Sequence, residues 1–387
     1  MRPTPEPRVR EYLLVFLVAA VVTYLLTVIA REIALRTGAV AGVRDRDVHD
    51  EPIPYLGGLA MLGGLLAAYL VATQLPFLSL GGERVFGPAK VVLLAGAIIC
   101  LVGVIDDIFD IDALMKLGGQ LLAAGVLVLL GVQYYFLPQA GGGVLTLDAA
   151  QGGLLTVFVV TATVNAVNFV DGLDGLAAGV VGIGAVAFFL FCYQLAAVNE
   201  QSLAITGALL CAALAGACGG FMVHNFHPAR LFMGDSGSML IGLVLSGAAV
   251  TLTGQFPAAD VTRGAAGSEA SLLPIVLPLA LPLLILIVPL ADLVLAVIRR
   301  TRAGRSPFAP DKQHLHHRLL EIGHSQRRAV LIMWMWAGLI AFGAVTASLY
   351  SGPVMWTGLG VMAAVTVTVT FVLPRLKEPT LTAEVQA

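Results

Sequence analysis

Charge is what this sequence has least of. Asp, Glu, Lys and Arg make up 12% of its 387 residues, roughly half the share of a soluble domain. With 58% hydrophobic residues and a mean hydropathy of +0.91, that scarcity excludes a soluble globular enzyme and points to a chain that crosses a bilayer many times. Cysteine is scarce too. Cys100, Cys192, Cys211 and Cys218 all sit inside apolar runs. Cys211 and Cys218 fall on one expected helix, too far apart along its axis to bridge. A disulfide framework and a Cys/His zinc site are therefore excluded. A net charge of -2 says nothing about nucleic acid by itself; the distribution of charge is what matters, and no nucleic-acid partner is expected. With no internal repeat, soluble insert or low-complexity block, residues 1–387 read as a single polytopic domain.

What is present is a series of apolar runs. After a polar tail, Met1–Arg10, they fall at Tyr12–Ala30, Leu56–Thr73, Ala89–Ile105, Leu117–Phe136, Gly153–Val167, Leu176–Leu195, Leu203–Val223, Met239–Gly254, Leu272–Ile298, Ala329–Tyr350 and Val354–Leu373. The fold class they predict is an all-α integral membrane protein of about eleven helices. Pro274, Pro278, Pro282 and Pro289 break or kink the ninth, since proline removes a helical donor and clashes with the preceding turn. Of the 22 basic residues, only Arg2, Arg8, Arg10, Arg84, Lys90 and Arg263 fall outside the loops that follow odd-numbered helices and the C-terminal tail. The positive-inside rule puts the odd loops in the cytoplasm of a cell membrane. The shortest run, Gly153–Val167, carries the most weight in that map: if it did not cross, every later loop would change sides.

The polar clusters all occupy odd loops. The most informative is Asn165-Ala-Val-Asn-Phe-Val-Asp-Gly-Leu-Asp-Gly-Leu176. Asn165, Asn168, Asp171 and Asp174 recur every three residues, which turns them toward one side of a helical turn. Carboxylates repel a phosphate but can hold it through Mg2+, which takes one or two carboxylates plus substrate oxygens and water. Asp106-Asp107, with Lys116 close behind, forms a second cluster. Adjacent carboxylates need a cation if both are to ionise, and Mg2+ or Lys116 would provide it. In the Asn225–Ser238 stretch, Asp235 either caps the next helix or, with Ser236 or Ser238 as cap, is left to hold metal. His49 lies in the first odd loop. The basic loop Arg299–Arg328 carries Arg305 and the cluster His314-Leu-His-His317, suited to phosphate oxygens. Carboxylate oxygens favour Mg2+, with Mn2+ the alternative, over the zinc or copper that histidine prefers. A transporter is the rival reading, but it would place acids near the bilayer midplane. Here only Asp292 lies well inside an apolar run.

These stretches resemble the polyprenyl-phosphate N-acetylhexosamine-1-phosphate transferases of the MraY/WecA group. The matching residues are the Pro52–Gly58 turn, Asp106-Asp107, Lys116 with Gly119-Gln120, Asn165–Leu176, the Asn225-x-x-Pro-Ala-x-x-Phe-Met-Gly-Asp235-x-Gly-Ser motif and the histidine loop. The likeness covers nearly the whole span from His49 to about Arg328, with the catalytic motifs within 44–328, and implies a cytoplasmic active-site cleft open to lipid. It implies Asp235 as a magnesium ligand, with Asp107 beside it. Asp106 and Asp107 would serve catalysis and the lipid phosphate, with Asp171 and Asp174 completing the catalytic acids. Asn225 and Asp174 would meet the nucleotide, and Lys116, His316 and His317 the phosphates. His49, Asn165, Asn168, Arg305 and His314 join the substrate-binding set. The pattern Asp311-Lys-Gln-His-Leu-His-His-Arg318 departs from the three successive histidines of the phospho-MurNAc-pentapeptide transferases and resembles the GlcNAc-1-phosphate branch. The expected reaction is attack of a polyprenyl phosphate on the β-phosphorus of a UDP-N-acetylhexosamine, with release of UMP. Direct attack is favoured over a covalent aspartyl intermediate, and a homodimer is one option for assembly.

Overall fold

A computed structural model describes residues 9–40, 53–139, 143–199, 202–253, 324–350 and 352–372, with isolated positions between 280 and 304. The helices with bounds among these residues are α1 Val9–Thr37, α2 Gly57–Ala72, α3 Gly82–Phe109, α4 Ala113–Leu129, α5 Ala149–Val170, α6 Leu176–Asn199, α7 Ser202–Asn225, α8 Gly234–Thr253, α9 Gln326–Leu349 and α10 Pro353–Val367. Among the described residues eight helices are long and apolar enough to cross a membrane, while α2 and α4 are shorter. The all-α membrane architecture expected from the apolar runs is therefore present. The proline-rich ninth run, His49, Arg305, His314, His316 and His317 lie outside the described residues.

One expected span needs correction. The run Leu117–Phe136 is not all helix: α4 stops at Leu129, Gly131 adopts φ 84°, and the chain enters an antiparallel hairpin of β1 Phe136–Gln139 and β2 Gly143–Thr146. A residue in the left-handed region cannot continue a right-handed helix, and glycine takes that conformation without steric cost. The hairpin feeds α5 through a capping box. The Asp148 carboxylate accepts from the Gln151 amide N–H at 2.8 Å, and the Gln151 side chain accepts from Asp148 N–H at 3.2 Å. That cap starts α5 four residues before the apolar run does, giving a 22-residue helix, long enough to span.

Helix α8 is the centre of the bundle, almost entirely buried against α3, α5, α7 and α2. Helix α1 lies across α2 and α7, α6 covers the other side of α7, α9 packs on α6, and α10 sits at the edge against α9. The crossing of α1 with its neighbours depends on missing side chains. A Cβ on Gly216 or Gly220 would fall 2.2 or 2.1 Å from the carbonyls of Phe16 or Ala20, and one on Gly64 would meet the Thr23 hydroxyl at 2.0 Å. Lipid tails are as apolar as leucine, so helices in a bilayer gain by close backbone packing of this kind.

One end of the bundle gathers the polar motifs that lie among the described residues. The ends of α1, α3, α5 and α7 meet the starts of α2, α4, α6, α8 and α9 there, as their hydrogen bonds show. Tyr55 N–H donates to the Ala39 carbonyl, Phe232 N–H to the Pro54 carbonyl, Gly175 N–H to the Asn225 side chain and Arg327 Nε to the His227 carbonyl.

Candidate active site

The site is built on the first turn of α8. Helix N-termini leave backbone N–H groups without intrahelical partners, and here a carboxylate from another helix takes them. Asp107, near the end of α3, accepts from Asp235 N–H at 2.7 Å through Oδ1 and from Ser236 N–H at 3.2 Å through Oδ2. Gly234 has φ 69° and lies against that carboxylate, where a Cβ would come within 2.4 Å of Oδ2. The Pro52–Gly58 turn grips the same segment: Gly57 and Gly58 N–H groups donate to the carbonyls of Phe232 and Met233, both at 3.1 Å. Gly58 and Gly103 touch it backbone to backbone, each placing a hypothetical Cβ 2.3 Å from an amide nitrogen, that of Gly237 or of Ser236.

This scaffold fixes the Asp235 carboxylate. Its Oδ1 accepts from Asn168 Nδ2 at 2.5 Å, and the same amide reaches Ser238 Oγ at 2.9 Å. Its Oδ2 is paired with Lys116, whose ammonium also lies 3.1 Å from Asp106 Oδ2. One lysine thus bridges two acids from two other helices. The neighbouring acids in the α3–α4 connection do different work. Asp112 caps α4 through the N–H groups of Leu114 and Met115, and Asp110 occupies the left-handed turn that ends α3.

The four-residue register of amides and acids does not converge on one point. Asn165 Nδ2 donates to Gln120 Oε1 at 2.6 Å, joining α5 to α4, while Gln120 Nε2 returns to Asn165 Oδ1 at 3.3 Å. Asp171 ends α5; burial, and then the charges of Asp107 and Asp174, push its carboxyl up to about 8. Asp174 is 2% exposed and its Oδ2 accepts from Ala229 N–H at 3.0 Å beside His227 Nδ1 at 2.8 Å. Asn225, also buried, receives Gly175 N–H and donates to the Leu231 carbonyl. Asp106, Asp107, Lys116, Asn168 and Asp235 are brought together, whereas Asn165 ties α5 to α4 and Asp174 and Asn225 tie the loops around them. His227, which the sequence pattern does not single out, is joined to Asp174. Its signal was a lone imidazole before proline, inside a loop bounded by two polar motifs.

The donors fit a hard dication. All the acids present oxygen, and two of them, Asp106 and Asp235, share one ammonium, that of Lys116. No cage of three metal-ligating side chains exists among the described residues, which suits an ion that draws its remaining ligands from substrate and water.

Residues 89–253 match the family model described as Glycosyl transferase family 4. The chain is 49% identical over 346 residues to the decaprenyl-phosphate N-acetylglucosaminephosphotransferase of Mycobacterium tuberculosis (strain ATCC 25618 / H37Rv), covering 88% of this chain and 84% of that one. It is 47% identical to the enzyme of that name from Mycolicibacterium smegmatis, over 95% of this chain and 90% of the relative. It is 30% identical to a probable undecaprenyl-phosphate N-acetylglucosaminyl 1-phosphate transferase of Bacillus subtilis, over 88% and 86%. With the motif loops gathered around Asp235 and likeness across nearly its full length, the chain belongs to the polyprenyl-phosphate N-acetylglucosamine-1-phosphate transferases of glycosyl transferase family 4.

Proposed function

We propose that the protein transfers N-acetylglucosamine-1-phosphate from UDP-GlcNAc to a polyprenyl phosphate at the cytoplasmic face of the cell membrane, releasing UMP. The reading is supported above all by the Lys116–Asp235–Asn168 cluster at the end of a membrane bundle, where a lipid phosphate and a soluble nucleotide sugar can meet. The relatives' names favour GlcNAc over a MurNAc-pentapeptide donor.

In this reading Asp235 and Asp106 would hold Mg2+, and Asn168 keeps Asp235 turned toward it. Bound there, the ion would neutralise the diphosphate and order the in-line geometry. Lys116 is the cation of this cluster among the described residues and would pair with a phosphate oxygen once its carboxylate partners are engaged. A phosphate monoester is already ionised near neutral pH, so no strong base is required; the proton bookkeeping is satisfied by direct attack of its oxygen on the β-phosphorus. The bond to UMP breaks as the bond to the lipid phosphate forms, and one diphosphate replaces another. Asp106, beside Lys116 and part-exposed, is better placed to steer the attacking oxygen than Asp107, whose oxygens receive backbone N–H groups.

The test is release of UMP by purified protein given Mg2+, UDP-GlcNAc and decaprenyl phosphate, with UDP-MurNAc-pentapeptide in parallel. UMP from the first donor alone is the expected result. Release only from the pentapeptide donor moves the protein to the other branch, and release from neither removes the transferase reading.

A further inference from the structure

The cluster around Asp235 has a second polar layer beneath it. Lys116 of α4, Asn168 of α5 and Asp235 of α8 meet at the end of the bundle. One turn further in, Gln120 of α4 meets Asn165 of α5 and Met239 of α8. Asn165 Nδ2 donates to Gln120 Oε1 at 2.6 Å, and Gln120 Nε2 donates back to Asn165 Oδ1 at 3.3 Å. The same Nε2 stands 3.5 Å from Met239 Sδ. Helices α4 and α8 start at this end and α5 finishes there. The steps Lys116 to Gln120, Asp235 to Met239 and Asn168 back to Asn165 therefore all descend by one turn, and each member of the lower layer sits under one member of the upper. We propose that the Gln120–Asn165 amide pair is a positioning clamp for Lys116, and that Asn165, placed by the resemblance among the substrate-binding residues, acts through that clamp.

Helix α4 needs such a device. Its buried residues are Gln120, Ala123, Ala124 and Leu127, so Gln120 is the first buried side chain after the lysine. Leu114, Met115, Leu117 and Leu121 around it are exposed and can slide against lipid. Gly119 lies against Val102 of α3, where a Cβ would meet Cγ1 at 2.5 Å. A missing side chain sets how near α3 and α4 come, but it fixes neither rotation nor register. Two amides that exchange hydrogen bonds fix both, because the exchange requires their planes to face each other. Lysine carries its charge on a flexible four-carbon stem, so the reach of its ammonium depends on how the helix beneath it is turned. Both Nδ2 hydrogens of Asn165 are committed, one to Gln120 and one to the Thr161 carbonyl at 2.8 Å. That leaves Asn165 no donor for a phosphate oxygen. Amide pairs between helices in a bilayer add little to stability, because separated helices find other partners. The effect of this pair is on geometry.

The activity arm of the test rests on the transferase reading proposed above, and a thiol arm stands apart from it. In the full-length protein, Gln120→Met with Asn165→Leu removes both amides at similar volume, so the melting temperature should hold. The kcat for UMP release should fall about tenfold, with KM for UDP-GlcNAc within about twofold of wild type, as when alignment rather than binding is lost. The swapped pair, Gln120→Asn with Asn165→Gln, restores two facing amides and should recover most of that loss. For the thiol arm, Lys116→Cys and Asp235→Cys are combined in a background lacking the native cysteines and joined by a short bifunctional thiol reagent. Adding Gln120→Met and Asn165→Leu should slow that crosslink about fivefold, since its rate follows the effective concentration of one thiol at the other. An unchanged crosslinking rate overturns the proposal whatever kcat does, because the amides would then not act through the position of residue 116. Wild-type kcat in the folded apolar pair overturns it as well. Loss of fold in both the apolar and the swapped pairs makes the amides a structural tie and does the same. If the wild-type protein releases no UMP, the transferase reading falls, and the crosslinking rates alone decide the clamp.

Discussion

At the scale of single residues, the site separates acids that look alike in sequence. Asp235 is held by Asn168 and Lys116 and is the acid proposed to hold the metal. Asp235→Asn should abolish turnover and Mg2+-dependent stabilisation in a thermal melt while the metal-free melting temperature is kept; near-normal activity at saturating Mg2+ would remove it from the metal's ligands. Asp107 accepts two backbone N–H groups at the head of α8. Its replacement by alanine should destabilise the fold by about 1–2 kcal/mol, the range of a lost helix cap, read as a lower midpoint in denaturant. Asp171 gives a pH signature. Its carboxyl rises from 3.8 to about 8 in the fold, so between those values the folded protein keeps a proton that the unfolded chain releases. Stability of the metal-free protein then falls as pH rises through that window. Asp171→Asn should flatten the fall of melting temperature between pH 5 and 8 in EDTA; an unchanged slope would show that another group carries it.

At the scale of elements, the active-site face depends on how closely helices approach. Gly58 of α2 and Gly103 of α3 lie against the first turn of α8, each leaving 2.3 Å between a hypothetical Cβ and backbone nitrogen. Backbone cannot yield as a side-chain tip can, so Gly103→Ala should cost about 1–3 kcal/mol by overpacking and shift the cluster at Asp235. The expected readout is a joint loss of stability and Mg2+ affinity. Full activity with an unchanged melt would mean that α3 and α8 slide apart freely. The helices themselves were legible in the sequence because an apolar run of spanning length is a local property. Their ends were less so: the capping box at Asp148 lengthened α5, and Gly131 shortened α4 in favour of the hairpin. Both depend on single polar or glycine residues that a hydropathy pattern averages away.

At the scale of the whole molecule, the gathering of motif loops at one bundle end makes topology the decisive matter. UDP-sugars are cytosolic and do not cross bilayers, so that end must face inward for the proposed reaction. Gln139 lies in the hairpin at the start of α5 and Arg230 in the loop before α8, at opposite ends of crossing helices. Single cysteines at those positions, in a background lacking the four native ones, should differ toward a membrane-impermeant thiol reagent on intact cells. Position 139 is expected to react, and position 230 only after the membrane is opened; reaction at 230 on sealed cells would sink the cytoplasmic assignment. The sequence by itself determined that the chain is a polytopic membrane protein of a recognisable family, and it marked Asp106-Asp107, Lys116, Asn168 and Asp235 as polar clusters that the described structure brings to one bundle end. Those properties follow from apolar length, basic loops and residue type, all of them read locally. Only the tertiary structure decided what each polar side chain does. Asp107 meets amide groups 128 positions away, Lys116 reaches an acid 119 positions on, and Asp174 is sealed by a loop 53 positions later. A carboxylate's role is set by the donors, cations and solvent that surround it, and those arrive from distant segments through helix packing.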